Sequence, residues 1–425
     1  MFAEMRPVCT RWRYLVGLVP LAASAAMGSQ WEDSFLPSPN GQYVVSVVNR
    51  DLSLPIPPEG LELSASVAIR IRDSKGKELA TVPIAKGRRA EEIGYGHVGT
   101  AWNPDSQMVA CCNQGNLSVI DVTGHGAQKR LTSVSSYRWV DKSRLCAVTG
   151  PLDGSGLFSV TDIATSGGAG HSRMTAVWAH AFHPSVTVHY NQLSPNLGHV
   201  VMADGAQVQV TRLNETTDRR VVQRSMTPSS CWWSDSGDRC LIHCLEEAKT
   251  EKPWPEDTTF RDVVYLFETT TGGFTDLSDR LRGLNDDPNF SSPRPRAEDR
   301  VWAPPGNWIL VSGTIRGSSG PESRNWVCVP NPWSAVCIQD ALQSDFHNPK
   351  VAPTGGRLGL LRASTDYAPK GDLYVVQITI DGGGKPVLGK PVEIATGIPN
   401  SWFWSADGKQ LLVWNGRKFT NYIIP

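Results

Sequence analysis

From about residue 30 onward the chain alternates short apolar runs with polar turns. Tyr43-Val44-Val45, Met108-Val109-Ala110 and Trp308-Ile309-Leu310-Val311 are examples of the runs. They alternate with polar positions or run continuously and carry β-branched and aromatic residues, where helical repeats would place apolar residues three and four apart. The pattern predicts strands.

One turn motif separates the runs. Its clearest copy is Trp404-Ser405-Ala406-Asp407-Gly408-Lys409-Gln410-Leu411-Leu412-Val413. The Ser405 and Asp407 side chains are suited to bond turn amides, and Gly408 takes a left-handed conformation without steric cost. Degraded copies begin at Pro37, Trp102, Trp139, Leu193, Trp233, Trp302, Val351 and Trp404. The third position holds Pro39, Pro104, Pro195, Pro304 and Pro353; the fifth holds Gly41, Gly237, Gly306, Gly355 and Gly408. Pro presets the turn's backbone angle and Gly takes the positive one. A second β-rich run follows each copy, as in Leu117-Ser118-Val119-Ile120 and Val263-Val264-Tyr265-Leu266-Phe267. A weaker fourth strand fits before the next copy.

Four short antiparallel strands recurring about every 50 residues is the period of propeller blades. The expected fold is all-β, a single β-propeller of four-stranded antiparallel blades. The turns predict eight blades, with seven as the alternative. The recurrence of Trp102, Trp139, Trp233, Trp302 and Trp404 predicts packing between blades. On these copies the chain resembles the WD40-like (PD40) propellers of the TolB type, whose repeat reads W-S-P-D-G before an apolar strand. The resemblance covers almost everything after residue 30. The Trp-Asp dipeptide and Gly-His pair of WD40 repeats do not recur, and Asp407-Gly408 lacks the intervening residue of a sialidase Asp-box. Such propellers host scaffolds, transport accessories and enzymes alike, so the resemblance implies a fold and not a function.

The 425 residues suit one closed propeller. Lys and Arg number 41 and Asp and Glu 41, with no basic stripe, which argues against a nucleic-acid partner. The N-terminus adds a compartment. Arg6, Arg11 and Arg13 precede an apolar run from Tyr14 to Ala23, and Ala23-Ser24-Ala25 fits a cleavage site. This is a signal-peptide pattern over residues 1–25, too short to span a membrane. Glu4 and Pro20 depart from it. The propeller domain is then 30–425 in a secreted or periplasmic protein with no transmembrane segment, or a cytoplasmic one if the N-terminus is no signal. Of nine Cys, Cys9 would leave with the signal. Cys328 and Cys337, and Cys231 and Cys240, flank turns and are placed to face each other across hairpins. Cys111, Cys112 and Cys146 sit inside apolar strands, as buried thiols do.

In a four-stranded antiparallel blade the first and third turns share one end, and the second turn and the link to the next blade share the other. The repeat motif is a first turn. Segments 52–60, 246–257 and 313–323 read as second turns, and 168–185 and 281–300 as links. All are expected to project from the face opposite the repeat turns, and functional loops gather where a rigid scaffold displays them. Arg294, Arg296, Arg316 and Arg362 are candidates there for anion or carboxylate contacts, with Trp254 and Tyr367 as aromatic anchors. The same residues also suit a solvated rim.

No GxSxG elbow, Walker loop or HExxH helix occurs. The nearest approach to a reactive constellation is His180 and His183, with His189 and Gln192 beyond, a set able to hold a divalent metal. It is similar to the His-and-Gln metal site of oligogalacturonate lyases, in residue types alone. The expected function is an exported, non-catalytic propeller without cofactor that binds a partner protein or extended ligand on the long-loop face. The alternatives are a metal-assisted carbohydrate lyase or hydrolase and an intracellular interaction scaffold.

Overall fold

The computed structural model describes residues 27–56, 60–87, 98–122, 131–149, 158–168, 171–182, 193–204, 207–212, 219–222, 226–247, 260–285, 293–295, 301–303, 308–317, 320–363, 370–399, 401–405, 407–415 and 417–424. They are almost entirely β. Eight antiparallel sheets follow one another along the chain, each built from consecutive strands.

The first sheet holds β1 (Met27–Pro37), β2 (Tyr43–Ile56), β3 (Gly60–Asp73) and β4 (Glu78–Gly87), and the second β5 (Gly99–Trp102), β6 (Met108–Asn113) and β7 (Asn116–Asp121). The third holds β8 (Val134–Trp139), β9 (Arg144–Thr149), β10 (Phe158–Gly168) and β11 (His171–Phe182), and the fourth β12 (His199–Asp204), β13 (Gln207–Arg212) and β14 (Arg219–Val222). The fifth holds β15 (Met226–Trp233), β16 (Arg239–Glu247), β17 (Phe260–Glu268) and β18 (Gly273–Asp276), followed by helix α1 (Ser278–Arg282). The sixth holds β19 (Trp302–Ala303), β20 (Trp308–Gly317), β21 (Gly320–Pro330) and β22 (Trp333–Cys337), followed by α2 (Ile338–Leu342). In the seventh, β23 (Phe346–Val351), β24 (Arg357–Arg362) and β25 (Lys370–Ile380) share an outer edge split between β26 (Pro386–Leu388) and β27 (Val392–Pro399). The eighth holds β28 (Trp402–Trp404), β29 (Gln410–Trp414) and β30 (Phe419–Ile423).

The repeat sits where its chemistry requires. Pro37, Trp102, Trp139, Trp233, Val351 and Trp404 each end the leading strand of a sheet, and Trp302 stands one residue from such an end. Leu193 holds the same place through an isolated bridge to Val200. The apolar run after each copy becomes the second strand, buried from end to end in β6.

Both faces of these strands are apolar because sheets pack on both sides. Val45 and Ile69 of the first sheet meet Val109 and Cys111 of the second. Ala110 and Cys112 meet Tyr137 and Leu145 of the third. Arg138 of the third donates to the Leu193 carbonyl at 3.2 Å. Val208 and Val210 of the fourth meet Cys231 and Phe267 of the fifth. Leu241 and Leu266 then meet Ile309 and Val311, Leu310 and Val327 meet Leu358 and Tyr374, and Leu361 and Leu373 meet Trp402 and Leu411. Leu412, Trp414 and Phe419 of the eighth sheet close on Val44 and Phe35 of the first.

The structure corrects several sequence expectations. Segment 168–185 is no link: Gly168 pairs with His171, so β10 and β11 form a third hairpin on the side of the repeat turns. Segments 52–60 and 313–323 are second hairpins as expected, but as strand rather than loop: Ile56 pairs with Gly60 and Gly317 with Gly320. The eight described Cys are free thiols. Cys328 stands opposite Ala335, out of register with Cys337. Cys231 and Cys240 do face each other, as diagonal neighbours on one face of their sheet, but without a disulfide.

Candidate functional site

The two ends of the sheets differ in construction. At one end lie the repeat turns, several of them closed by a side chain of their own. The second-position side chain accepts the amide five residues on: Ser38 from Tyr43 at 3.0 Å, Asn103 from Met108 at 2.8 Å, Ser194 from His199 at 2.9 Å, and Ser405 from Gln410 at 2.9 Å. Ser405 also donates to Asp407, which accepts the Lys409 amide at 3.0 Å. The fifth position is left-handed at Gly41, Gly237, Gly355 and Gly408, and also at Ser106 and Leu197.

These turns touch their neighbours. The Asn40 amide donates to Ser106 Oγ at 3.0 Å, Asn103 Nδ2 to the Lys142 carbonyl at 2.7 Å, and Asn196 Nδ2 to the Ser236 carbonyl at 3.2 Å. A Cβ on Gly408 would sit 2.3 Å from Thr354 Oγ1. Successive repeat turns are therefore knit along one face.

At the opposite end the second hairpins run on. β2 and β3 remain paired to Ile56 and Gly60, and β20 and β21 to Gly317 and Gly320. β16 and β17 likewise remain paired to Glu247 and Phe260 at this end. The structure brings Arg294, Arg316 and Arg362 to this end. Arg316 is exposed one residue from the end of β20, opposite Pro321. Arg294 bridges to Ser312 through backbone bonds of 2.9 Å in each direction, which fixes the link beside β20. Arg362 ends β24, where Nη2 meets Asp372 Oδ2 at 3.0 Å and the guanidinium lies 4.9 Å over the Tyr374 ring. The Asp372 bond raises the Arg362 pKa, although some desolvation opposes it. Trp254, Arg296 and Tyr367 lie outside the described residues.

Sequence reasoning missed what anchors Arg294. Its Nη1 lies 3.2 Å from Asp262 Oδ1, and His243 Nε2 lies 2.7 Å from the same oxygen. His243 is 5% exposed and Asp262 13%. The His243 hydrogen bond, aided by its charge and that of Arg294, holds the Asp262 carboxyl below its usual range against burial. Both residues face the sixth sheet alongside Leu241, Val264 and Leu266. The available signal was a polar residue inside each of two apolar strands, Cys240-Leu241-Ile242-His243-Cys244 and Asp262-Val263-Val264.

Of the proposed metal set, His180 lies in β11 opposite Val160, and His183, His189 and Gln192 fall outside the described residues. No helix among the described residues is long and apolar enough to cross a membrane.

No family model matches the sequence, and no curated protein matches it. Several solved structures are similar. The β-propeller domain of the Trilobed protease from Pyrococcus furiosus shares 12% identity with a TM-score of 0.41, covering 94% of this chain and 94% of that one. Kuenenia stuttgartiensis hydrazine synthase shares 12% with a TM-score of 0.40, covering 76% and 94%. A putative TolB from Agrobacterium tumefaciens shares 14% with a TM-score of 0.33, covering 81% and 94%. Likeness at this level bears on neither ligand nor activity.

Proposed function

We propose that this chain is an exported, eight-bladed β-propeller that binds a partner protein or extended ligand without chemistry of its own. The binding face is the one carrying the second hairpins and links. The observation that carries this reading is the difference between the two ends. The repeat turns spend their polar groups on themselves and on one another. The opposite end extends its hairpins and carries exposed Arg294, Arg316 and Arg362, of which Arg294 and Arg362 also pair with Asp262 and Asp372. Guanidinium groups at such an end favour carboxylate-bearing surfaces, which they meet with paired N–H donors.

Arg294→Ala, Arg316→Ala and Arg362→Ala combined test the face. Capture of the native partner from the exported fraction should fall at least tenfold, with the melting temperature within a few degrees of wild type, as for surface changes. Lys142→Ala with Lys409→Ala, at the repeat-turn end, is the matched control. Asp238 does not serve as one, because Ser234 and Ser236 both donate to its carboxylate and the turn depends on it. Capture lost through the lysines alone would refute the face. N-terminal sequencing of the native protein tests export, with a mature start just past Ala25 as the expected result.

A further inference from the structure

The eighth sheet is one strand narrower than the sheets beside it. It consists of β28, β29 and β30, whereas the first sheet runs to a fourth strand, β4, and the seventh to an outer edge of β26 and β27. Leu361 and Leu373 pack the seventh sheet on one face of the eighth, and Val44 packs the first on the other. β30 therefore lies in a notch between two wider sheets, about 5 Å deep, the spacing of one strand. The second sheet also has three strands, but there Leu131 takes the corresponding place and exchanges backbone bonds of 2.8 and 3.0 Å with Leu117 of β7. Among the described residues, the outer edge of β30 is met only by Ser74, whose carbonyl accepts the Phe419 amide at 3.2 Å.

That edge has a definite register. The Ile424 amide donates to the Lys409 carbonyl at 2.9 Å, so Thr420, Tyr422 and Ile424 turn their backbone groups toward β29. Phe419, Asn421 and Ile423 alternate with them and turn theirs outward. Among the described residues, no hydrogen bond reaches the outward N–H and C=O groups of Asn421 and Ile423. Apolar side chains gather at the same place. The exposed large hydrophobic residues among the described ones are Leu79, Val387, Val392 and Ile423. They belong to β4, β26, β27 and β30, the outer strands of the first, seventh and eighth sheets. Ile423 is 78% exposed, and Val387 and Val392 are each 46% exposed. Val392 stands opposite Val375, which packs on the eighth sheet. Val387 stands opposite Thr379, on the same face two alternations further along β25. Both valines thus look toward the notch from the seventh sheet.

We propose that this notch takes an extended segment of a partner protein as a fourth strand, antiparallel to β30. Unpaired groups on a sheet edge are a template for a further strand, and the backbone of the segment bonds to Asn421 and Ile423. Alternate side chains of the segment lie on Val387 and Val392, which favours β-branched residues at every second position. The recess selects a single strand. A second copy carries its own β30 in an equal notch, and the wider flanking sheets of two copies would meet before their edges could. The site lies on the outer edge of the sheets and uses none of the arginines at the second-hairpin end, so it stands apart from the reading above.

A capped peptide of alternating threonine and valine with lysine at both ends is the probe, added to the full chain. Residue-resolved amide exchange should be fast at Asn421 and Ile423 in the free protein and slow about tenfold or more with the peptide bound. Thr420 and Tyr422, already bonded to β29, should change little. Asn421→Pro removes an outward donor and none of the bonds to β29, a placement that proline tolerates on an edge strand. It should weaken peptide binding, read by fluorescence anisotropy, about tenfold or more. Val387→Ser with Val392→Ser should weaken it severalfold and leave the melting temperature within a few degrees of wild type, as for exposed positions. Arg316→Ala should leave binding unchanged, and the same peptide with proline at alternate positions should not bind. Slow exchange at Asn421 and Ile423 in the free protein would mean that the chain itself or a second copy already fills the edge, and would overturn the proposal. So would the absence of protection by the peptide, or binding that persists undiminished in both the proline and the serine variants.

Discussion

Trp404 shows how one residue type joins neighbouring sheets. Its indole fills the space between the seventh and eighth sheets, and Nε1 donates to the Lys350 carbonyl at 2.9 Å. Trp102, Trp139 and Trp302 do the same to Leu36, Ala101 and Trp232, at 3.0, 3.0 and 2.9 Å. Each acceptor stands one position before the repeat's first residue in the preceding sheet. Trp404→Ala should cost about 3–5 kcal/mol, as large aromatic deletions in cores do. Trp404→Phe keeps a ring but leaves the Lys350 carbonyl without its donor, at about 1–3 kcal/mol. Urea denaturation measures both, and a Phe variant as stable as wild type would remove the bond from the account. The packing role was legible from recurrence alone. The bond was not, because it needs the register between sheets. Gly359 makes a similar point. A Cβ there would lie 2.6 Å from the Trp402 ring, whereas one on Gly382 meets nothing within 4 Å. Gly359→Ala should therefore destabilise by about 1–3 kcal/mol, the range for overpacking. Gly382→Ala should change the denaturation midpoint little, and equal effects would contradict the packing argument.

Among the elements, the repeat turns were readable because their chemistry is local. Ser405, Asp407 and Gly408 close their own turn, and the bonds seen are those the residue types imply. The long hairpins were not readable, because strand pairing overrode local composition. Pro55 lies inside β2 opposite Leu61, and Gly167 and Gly168 remain paired in β10 although their stretch reads as a loop. The first sheet offers an element-level test. Glu32 of β1 is held by Arg70 and Arg72 of β3 and by Ser46 of β2. Burial alone would raise its pKa, but the bonds from Arg72 and Ser46 and the two arginine charges outweigh it, so the folded value lies below 4.5. A depressed carboxyl pKa stabilises the fold above the unfolded value, and that stabilisation disappears as pH falls through the folded one. Glu32→Gln should thus cost about 1–3 kcal/mol near neutrality, and the gap to wild type should narrow on acidification below 4.5. Urea titrations at several pH values measure the gap, and a constant difference down to about pH 3 would assign the loss to packing instead.

Across the whole molecule, the eighth sheet returns to the first. Phe35 and Trp414 have ring centroids 5.5 Å apart, and the Arg72 guanidinium lies 5.9 Å from the Trp414 ring. The Phe419 amide donates to the Ser74 carbonyl at 3.2 Å. Gly76, at φ 87°, lets the β3–β4 turn approach Arg417 so closely that a Cβ would lie 1.7 Å from its carbonyl oxygen. These contacts join segments more than 300 residues apart in sequence, beyond what local pattern predicts. If they close the molecule, β2 is stabilised by the eighth sheet as well as by its own partners. Trp414→Ala removes the shared aromatic. Amide exchange should then quicken by about tenfold or more in β2 as well as in β29, corresponding to about 1.4 kcal/mol or more of local stability. β16 of the fifth sheet, which packs elsewhere, should change less. Hydrogen–deuterium exchange under native conditions reads all three strands in one experiment. Faster exchange confined to β29, with β2 as protected as in wild type, would mean that the first sheet stands without the eighth and that the contacts between them do not hold the molecule closed.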